Sequence, residues 1–279
     1  MRLAAARSQL IQAGIAPDEA AIDVEVYVRE ILGWDRARVL TETRADVPGA
    51  LEPRLTEWLR RRARHEPTAY IVGHKEFWGR SFRVTPDVLV PRPETELIIE
   101  EALPLLAAHA SARVADIGTG SGCLAVVLAC EVLSASIVAT DVSNDALTIA
   151  RENAAAHQAN TRIAFTRTSY LDGIEGPFDV IVANPPYIRE DARESLQGSV
   201  RHEPALALFG GTDGTRDLAG VLDAASEKLV VRGWCVVEFG IDQESDVRRL
   251  VGARPRLQVE RIRTDLPGIP RTAVVSRIR

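Results

Sequence analysis

The sequence predicts an α/β fold in which a mainly parallel sheet, with helices on both faces, follows a small helical region. From Arg113 onward, short β-branched runs alternate with helical patterns, which is typical of such a sheet. A glycine-rich turn lies between the first of these strands and the helix after it. Residues 1–75 show helical periodicity and carry neither a phosphate loop nor a catalytic cluster. We therefore expect two domains.

The helical domain is predicted to be a small bundle. Apolar residues recur at helical spacing in Leu3–Ala13 and Asp18–Leu32, and a third helix is predicted over Leu51–Ala63. A basic run at 60–64 ends the third helix. The expected role of this run is a solvated helix face, and contact with an acidic partner is the alternative.

Residues 76–90 are predicted to be a hairpin connector, because aromatic and valine residues alternate there with polar ones. The segment Pro91-Arg92-Pro93-Glu94-Thr95-Glu96 follows as a proline-stiffened stretch with acidic residues at a helix start. That helix is predicted to run to about Ala108, and residues 91–279 form the second domain.

The second domain is predicted to contain seven strands with helices between them. The predicted strands are Arg113–Ile117, Ile137–Thr140, Ile163–Arg167, Phe178–Ala183, Trp234–Phe239, Leu257–Arg263 and Thr272–Arg277. The predicted helices are Cys123–Leu133, Asn144–His157, Ala219–Val231 and Gln243–Val251. The long segment after Tyr187 is expected to be a lid or a partner-binding surface.

A nucleoside cofactor is indicated at the ends of the first two strands. The turn after the first strand lets a ligand approach the backbone closely, and the helix start offers N–H groups to an anionic group. Asp141 ends the second strand, where a carboxylate can accept hydrogen bonds from both ribose hydroxyls. Its alternative role is the N-cap of the helix from Asn144. The turn consists of Gly118, Thr119, Gly120, Ser121 and Gly122.

Tyr170 and Leu171 follow the third predicted strand. They are expected either to flank an adenine ring or to be core residues under a loop.

The motif Asn184-Pro185-Pro186-Tyr187 follows the fourth predicted strand, so it lies at the carboxyl edge where open α/β sheets bind ligands. The two prolines fix the shape of the turn and leave backbone carbonyls available. An amide oxygen, a carbonyl and an aromatic ring suit a planar –NH₂ group. The alternative is a rigid strand-to-helix turn capped by a surface tyrosine.

Composition limits the classes of function. The net charge of −5 argues against general affinity for the nucleic-acid backbone, although a local basic patch is compatible with it. Three cysteines without Cys-x-x-Cys spacing predict reduced thiols, and the start of the chain lacks the pattern of a signal peptide, so we expect a cytoplasmic protein. The five histidines are scattered, and no metal site is predicted.

With these motifs in order, the chain resembles the class I S-adenosylmethionine-dependent methyltransferases, and within them the peptide chain release factor glutamine N5-methyltransferases. The resemblance covers nearly the whole chain. Asn-Pro-Pro-Tyr is shared with adenine-N6 and cytosine-N4 nucleic-acid methyltransferases. The resemblance also includes Asp265-Leu266-Pro267-Gly268, and the segment 91–96 together with Glu203-Pro204 after the motif makes the match specific.

The resemblance implies a Rossmann-like sheet of seven strands with the last one antiparallel, and methyl transfer from S-adenosylmethionine to the glutamine of a Gly-Gly-Gln motif. It implies cofactor contacts from Gly118–Gly122, Asp141, Tyr170 and Asn184. Substrate contacts are implied from Asn184–Tyr187, with Asn184, Pro185 and Tyr187 as catalytic residues. Family members often carry an acidic residue where this chain has Ser169, which bears on the assignment of Tyr170.

A nucleic-acid amino methyltransferase of the adenine-N6 type is the alternative function. We also expect the helical bundle to help grip the protein substrate.

Overall fold

The computed structural model describes residues 3–41 and 52–279, which form two compact units. Unit 1 contains the described residues up to His74 together with Leu196–His202. Unit 2 contains Lys75–Ser195 and Glu203–Arg279. The membership of Leu196–His202 in unit 1 has no counterpart in the predicted boundaries.

The regular structure described in unit 1 between residues 3 and 73 consists of helices. They are α1 (Leu3–Gln12), α2 (Pro17–Leu32), α3 (Arg36–Thr41), α4 (Glu52–Arg62) and α5 (Thr68–Val72). Proline at the first position starts α2, and Gly33 ends it in the left-handed conformation. The sequence patterns missed α3 and α5, which are too short to show periodicity. Leu51, the predicted start of the third helix, lies outside the described residues.

Arg62 lies inside unit 1, so the interpretation of the basic run as a solvated face is wrong at this residue. Its side chain is only 2% exposed, and its Nε donates to Asp23 Oδ2 at 2.6 Å. It also pairs with Glu19. The cause is helical spacing, because Arg62 falls on the same face of α4 as the buried Leu55 and Leu59.

Unit 2 begins with the predicted hairpin connector. Strands β1 (His74–Phe77) and β2 (Arg80–Arg83) pair with each other. A short 3₁₀ turn at Pro93–Thr95 leads into α6 (Glu96–Leu106). The hairpin and the helix after the prolines are therefore confirmed.

A seven-stranded sheet forms the body of unit 2. Its strands are β3 (Arg113–Ile117), β4 (Ser136–Asp141), β5 (Ile163–Arg167), β6 (Phe178–Ala183), β7 (Leu229–Glu238), β8 (Leu257–Thr264) and β9 (Pro270–Arg277). Their order is β5-β4-β3-β6-β7-β9-β8, and β9 runs antiparallel to both of its neighbours. The fold class and the antiparallel last strand are thus confirmed. The helices that follow α6 are α7 (Cys123–Glu131), α8 (Asn144–Ala156), α9 (Ala205–Leu208), α10 (Arg216–Lys228) and α11 (Glu244–Gly252).

The sheet is buried on both faces. In β6, Val180 and Val182 belong to the apolar cluster on the side of α6 and α7, whereas Ile181 and Ala183 belong to the cluster on the side of α10 and α11. Successive side chains of a strand point to opposite faces, so a strand covered on both sides reads as a continuous apolar run. This explains why the pattern located β6 correctly.

The carboxyl ends of β3, β4, β5 and β6 meet at one edge of the sheet, because these strands pair in parallel. That edge carries the glycine turn, Asp141, Tyr170 and Asn184. Among the described residues, no helix is both long and apolar enough to cross a bilayer.

Candidate active site

A cavity of about 200 Å³ opens at the carboxyl edge of the sheet, and all of its walls belong to unit 2. The ends of β3, β4, β5 and β6 all contribute to it. The predicted site residues that line it are Gly118, Thr119, Gly120, Ser121, Asp141, Tyr170, Asn184, Pro185 and Pro186. Gly122 and Tyr187 are the two predicted site residues that do not line it.

The glycine turn forms one wall of this cavity. Gly118 and Gly120 have φ values of 71° and 54°, and a Cβ at either position would meet no atom nearer than 4.0 Å. Gly122 has a different role, since a Cβ there would lie 3.0 Å from the Cβ of Ala150 on α8. Gly122 therefore allows two helices to approach closely, while Gly118 and Gly120 leave open space for a ligand.

Asp116 holds the glycine turn from below. It is fully buried, and its Oδ2 accepts from Thr119 Oγ1 at 2.6 Å and from the Ala125 N–H at 3.2 Å. Its Oδ1 has no hydrogen-bond partner in the described part of the chain. Burial raises the pKa of this carboxyl to about 7. Sequence reasoning assigned Asp116 no role of its own, although an aspartate inside an apolar strand was a usable signal.

Asp141 faces the cavity with a carboxylate that the backbone orients. Oδ2 accepts from the Gly120 N–H at 3.0 Å, and Oδ1 accepts from the Ser143 N–H at 2.9 Å. Burial raises its pKa. The N-cap alternative is wrong for Asp141, because the N-cap of α8 is Ser143, whose Oγ accepts from the Ala146 N–H at 3.1 Å. Asp141 precedes the helix by too many residues to cap it.

Tyr170 lines the cavity in a constrained conformation. Its φ is 48°, and its carbonyl accepts from Thr140 Oγ1 at 2.7 Å. The phenol donates to Asp217 Oδ1 on α10 at 3.0 Å, and the ring lies directly over Gly220. Leu171 is 2% exposed and belongs to the core, so the core alternative holds for Leu171 alone.

Asn184 and the two prolines line the same cavity as the glycine turn. The Asn184 amide nitrogen donates to Thr95 Oγ1 at 2.9 Å. Pro185 is buried, and among the described residues nothing donates to its carbonyl. Asn184 Oδ1 likewise receives no hydrogen bond from the described chain. The turn therefore carries two acceptors that its own fold does not use.

Tyr187 turns inward instead of lining the cavity. Its hydroxyl donates to Glu238 Oε1 at 3.3 Å, and its ring packs on Gly240. Gln243 Nε2 donates to its carbonyl at 3.2 Å. Burial, with the charge of Glu238 next in size, raises the pKa of Tyr187, so its phenol stays protonated and donates.

Thr95 and Glu238 are polar residues of the site that the sequence analysis missed as functional. Thr95 Oγ1 donates to Glu238 Oε2 at 2.7 Å, and the two side chains are 3% and 1% exposed. Burial raises the pKa of Glu238 to about 7. The available signal for Glu238 was a carboxylate directly after the apolar run at 234–237 of β7. The available signal for Thr95 was its place in the segment 91–96, to whose residues the sequence analysis gave no individual roles.

Arg92 and Glu203 connect the two segments that made the resemblance specific. Arg92 pairs with Glu203 Oε1, and the Val90 N–H donates to Glu203 Oε2 at 3.3 Å. Burial raises the pKa of Glu203 and Arg92 opposes that shift. The pair fixes the extended segment that brings Pro91 and Thr95 to the cavity wall. In the described parts of the chain, no group of three His, Cys, Asp or Glu side chains could hold a metal ion.

Comparison with known proteins adds two family models. Residues 2–73 match the PrmC N-terminal domain, and residues 95–201 match the methyltransferase small domain.

Solved structures support the fold alone. The catalytic domain of hMettl16 in complex with MAT2A 3′UTR hairpin 6 has a TM-score of 0.59 at 16% identity, covering 83% of this chain and 82% of that chain. A methyltransferase from Pyrococcus furiosus has a TM-score of 0.52 at 22% identity, covering 73% of this chain and 91% of its own.

Curated relatives match along most of their length. The release factor glutamine methyltransferase of Bradyrhizobium diazoefficiens is 38% identical over 91% of this chain and 87% of its own. That of Neisseria gonorrhoeae is 36% identical over 91% of this chain and 92% of its own. Identity at this level over nearly whole chains, together with the fold and the cavity described above, places the chain in the release factor glutamine methyltransferase family.

Proposed function

We propose that this protein transfers a methyl group from S-adenosylmethionine to the side-chain nitrogen of the glutamine in the Gly-Gly-Gln motif of peptide chain release factors. Family membership makes it a methyltransferase that uses S-adenosylmethionine and acts on a release factor glutamine. The observation that carries the assignment of residues is that Asn184 and Pro185 share one cavity with the glycine turn.

The cavity fits the cofactor. Gly118 and Gly120 leave open space for a ligand, which a side chain at either position would occupy. Two backbone N–H groups hold the carboxylate of Asp141 at the cavity wall. Each oxygen of Asp141 receives one backbone hydrogen bond and keeps a lone pair for a ribose hydroxyl. We assign Gly118–Ser121, Asp141 and Tyr170 to hold the cofactor, and Gly122 to support the turn.

S-adenosylmethionine supplies an electrophilic methyl group on a sulfonium. The amide nitrogen of glutamine is a weak nucleophile because its lone pair is delocalised, so this chain must position that nitrogen and polarise its hydrogens. The two unused acceptors, Asn184 Oδ1 and the Pro185 carbonyl, suit the two N–H bonds of a primary amide. Once the nitrogen has used its lone pair to accept the methyl group it releases one proton, and we assign no general base for that release. Tyr187 and Pro186 shape the substrate side of the site.

The nucleic-acid alternative is not favoured, because the curated relatives act on release factors. Base recognition would require a basic groove, whereas the chain carries a net charge of −5. We therefore propose a protein substrate without sequence-specific nucleic-acid binding. The predicted location stays the cytoplasm, where translation terminates.

Unit 1 is proposed to contact the release factor, which keeps the predicted role of residues 1–75. Deleting these residues would also remove packing from Leu196–His202, which belong to the same unit. Charge reversal at the exposed Arg54 and Arg64 is the milder test. We expect a higher KM for a folded release factor with kcat unchanged. An unchanged KM in that variant would argue against contact through α4 and the turn that follows it.

The reaction is tested with labelled S-adenosylmethionine, a release factor, its Gly-Gly-Gln→Gly-Gly-Ala variant, and total RNA and DNA. We expect one methyl group on the motif glutamine, located by mass spectrometry, and none on the variant. Label that appears only in nucleic acid would overturn the substrate assignment.

Two variants separate the proposed roles. Asn184→Ala is expected to abolish turnover while cofactor affinity stays within about tenfold, since only one modest contact is lost. Asp141→Ala is expected to weaken cofactor binding first. Full activity of Asn184→Ala would contradict the assignment of Asn184.

A further inference from the structure

We infer that Thr95 and Glu238 are positioning residues that fix which way the Asn184 amide faces, so that its oxygen and not its NH₂ group is presented to the substrate. This inference rests on the proposed function of Asn184 and adds two residues to it. Neither residue touches the reacting atoms in this assignment. Their effect is transmitted through hydrogen bonds.

The direction of the hydrogen bonds carries the argument. An ionised carboxylate only accepts, so Glu238 must receive the hydroxyl hydrogen of Thr95, and their oxygens are 2.7 Å apart. A threonine hydroxyl has one hydrogen, so Thr95 can then only accept from its other neighbour. That neighbour is the Asn184 amide, whose nitrogen lies 2.9 Å from Thr95 Oγ1. The amide is thereby held with its nitrogen toward Thr95 and its oxygen elsewhere.

This orientation matters because the two ends of an asparagine amide are nearly identical in shape and opposite in hydrogen bonding. A flipped amide would present N–H groups to the N–H groups of a glutamine side chain. Such a pairing is repulsive and leaves the substrate nitrogen unpositioned. Packing alone selects weakly between the two orientations, whereas a buried carboxylate at the end of the hydrogen-bond chain selects strongly.

Glu238 also accepts a hydrogen bond from the hydroxyl of Tyr187. One carboxylate therefore orients two members of the motif, Asn184 through Thr95 and Tyr187 directly. The charged groups that act on it come from the elements around it. Burial is the main cause of the raised pKa of Glu238; Glu94, which precedes α6, raises it further, and Arg271 on β9 opposes the shift. Arg271 is itself paired with Asp265 at 3.1 Å. Glu238 therefore lies in a dry site with its two hydroxyl donors as its direct hydrogen-bond partners.

A matched pair of variants at Thr95 tests the inference. Thr95→Val keeps the shape and removes the hydroxyl, whereas Thr95→Ser keeps the hydroxyl and removes a methyl group. We expect Thr95→Val to lower kcat by about 10- to 100-fold, the scale of a misplaced reacting group. Thr95→Ser should stay within about threefold of the wild type, because the hydrogen-bond chain is intact.

A loss of packing would act differently from a loss of orientation. It would lower the unfolding temperature and affect both variants, so thermal unfolding and the Kd for S-adenosylmethionine are measured in parallel. We expect the Kd to change by less than about threefold in both variants, since Thr95 lies on the Asn184 side of the site. Equal kcat values for Thr95→Val and Thr95→Ser, with both proteins folded, would overturn the inference.

Glu238→Gln is the second variant, and it serves if Thr95→Val does not fold. A glutamine has one acceptor end and one donor end, so it cannot accept from both Thr95 and Tyr187. One of the two hydroxyls must turn, and kcat is expected to fall by at least about tenfold with cofactor affinity retained. A wild-type kcat in Glu238→Gln would contradict the role given to the carboxylate.

The pH profile gives an independent reading. The pKa of Glu238 is raised to about 7, so the carboxylate predominates above that pH and is protonated below it. A protonated Glu238 carries an O–H that itself donates and disturbs the hydrogen bonds from the two hydroxyls, so wild-type kcat at saturating cofactor should fall as the pH drops through about 7. This low-pH decline should be absent in Glu238→Gln. Asp116 has a similar pKa, and its protonation should appear instead in the cofactor Kd.

Failure of the proposed function is distinguishable from failure of this inference. If the wild-type protein does not methylate a release factor, the function is wrong. If it does, and neither Thr95→Val nor Glu238→Gln lowers kcat, only the positioning role is wrong.

Discussion

Gly220 lies on α10 directly beneath the Tyr170 ring, and its replacement by alanine is expected to displace that ring from the cavity wall. A Cβ at this position would come within 2.2 Å of Tyr170 Cζ and within 2.6 Å of both Cε atoms. Carbon atoms pack at about 3.5–4.0 Å, so the ring must move by more than about 1 Å. Its backbone cannot follow easily, because the carbonyl is held by Thr140.

The expected cost is the sum of three effects. Overpacking costs about 1–3 kcal/mol. Loss of the hydrogen bond from Tyr170 to Asp217 adds about 1 kcal/mol, which is less than for a buried bond to a charged group because this site is partly exposed. Alanine in a helix favours folding over glycine by about 1 kcal/mol and offsets part of this. We expect a net loss of about 1–3 kcal/mol in the free energy of unfolding of unit 2, and weaker binding of S-adenosylmethionine.

Gly252→Ala is the matched control, because Gly252 is the last residue of α11 and a Cβ there would meet no atom within 4 Å. That variant should be neutral or more stable by up to about 1 kcal/mol. Thermal unfolding and calorimetric cofactor titration measure both variants, and about 2–4 °C is expected per kcal/mol. The combination of Gly220→Ala with Tyr170→Ala should be less damaging than additivity predicts, because the clashing ring is gone. Equal stability of Gly220→Ala and Gly252→Ala would refute the reasoning.

Three further predictions concern single charges. Arg62→Met leaves the Asp23 carboxylate buried without its cation, so urea unfolding should show a loss of about 3–5 kcal/mol in the stability of unit 1. Adding Asp23→Asn should restore stability, and no recovery would mean that the ion pair is not the cause. Asp141→Asn should raise the calorimetric Kd for S-adenosylmethionine by at least about tenfold, because one acceptor and the charge are lost, and an unchanged Kd would remove Asp141 from the cofactor site. Arg92→Met leaves the Glu203 carboxylate without its cation and should lower stability in thermal unfolding by about 1–3 kcal/mol. This loss is smaller than for a fully buried pair because Arg92 is one-third exposed. A neutral effect would show that the pair contributes little.

Local patterns in the sequence determined the sheet and the edge that carries the cavity. The limits of β3 and β6 follow from mainly apolar runs that are buried on both faces, and such runs depend only on neighbours along the chain. Because parallel strands end at a common edge, the same patterns predicted that the glycine turn, Asp141 and Asn184 would converge. Their presence in the lining of one cavity agrees with that expectation.

The tertiary structure decided which polar groups pair and which side chains turn inward. Thr95 and Glu238 are 143 positions apart, and no periodicity along the chain links them. The sequence placed Tyr187 in the motif, but only packing against Gly240 directs its hydroxyl to Glu238. Burial depends on the elements that cover a residue, and hydrogen-bond direction depends on the neighbours that burial brings together. Both are properties of the assembled fold, because a local pattern specifies which face of an element is apolar but not which distant element covers it.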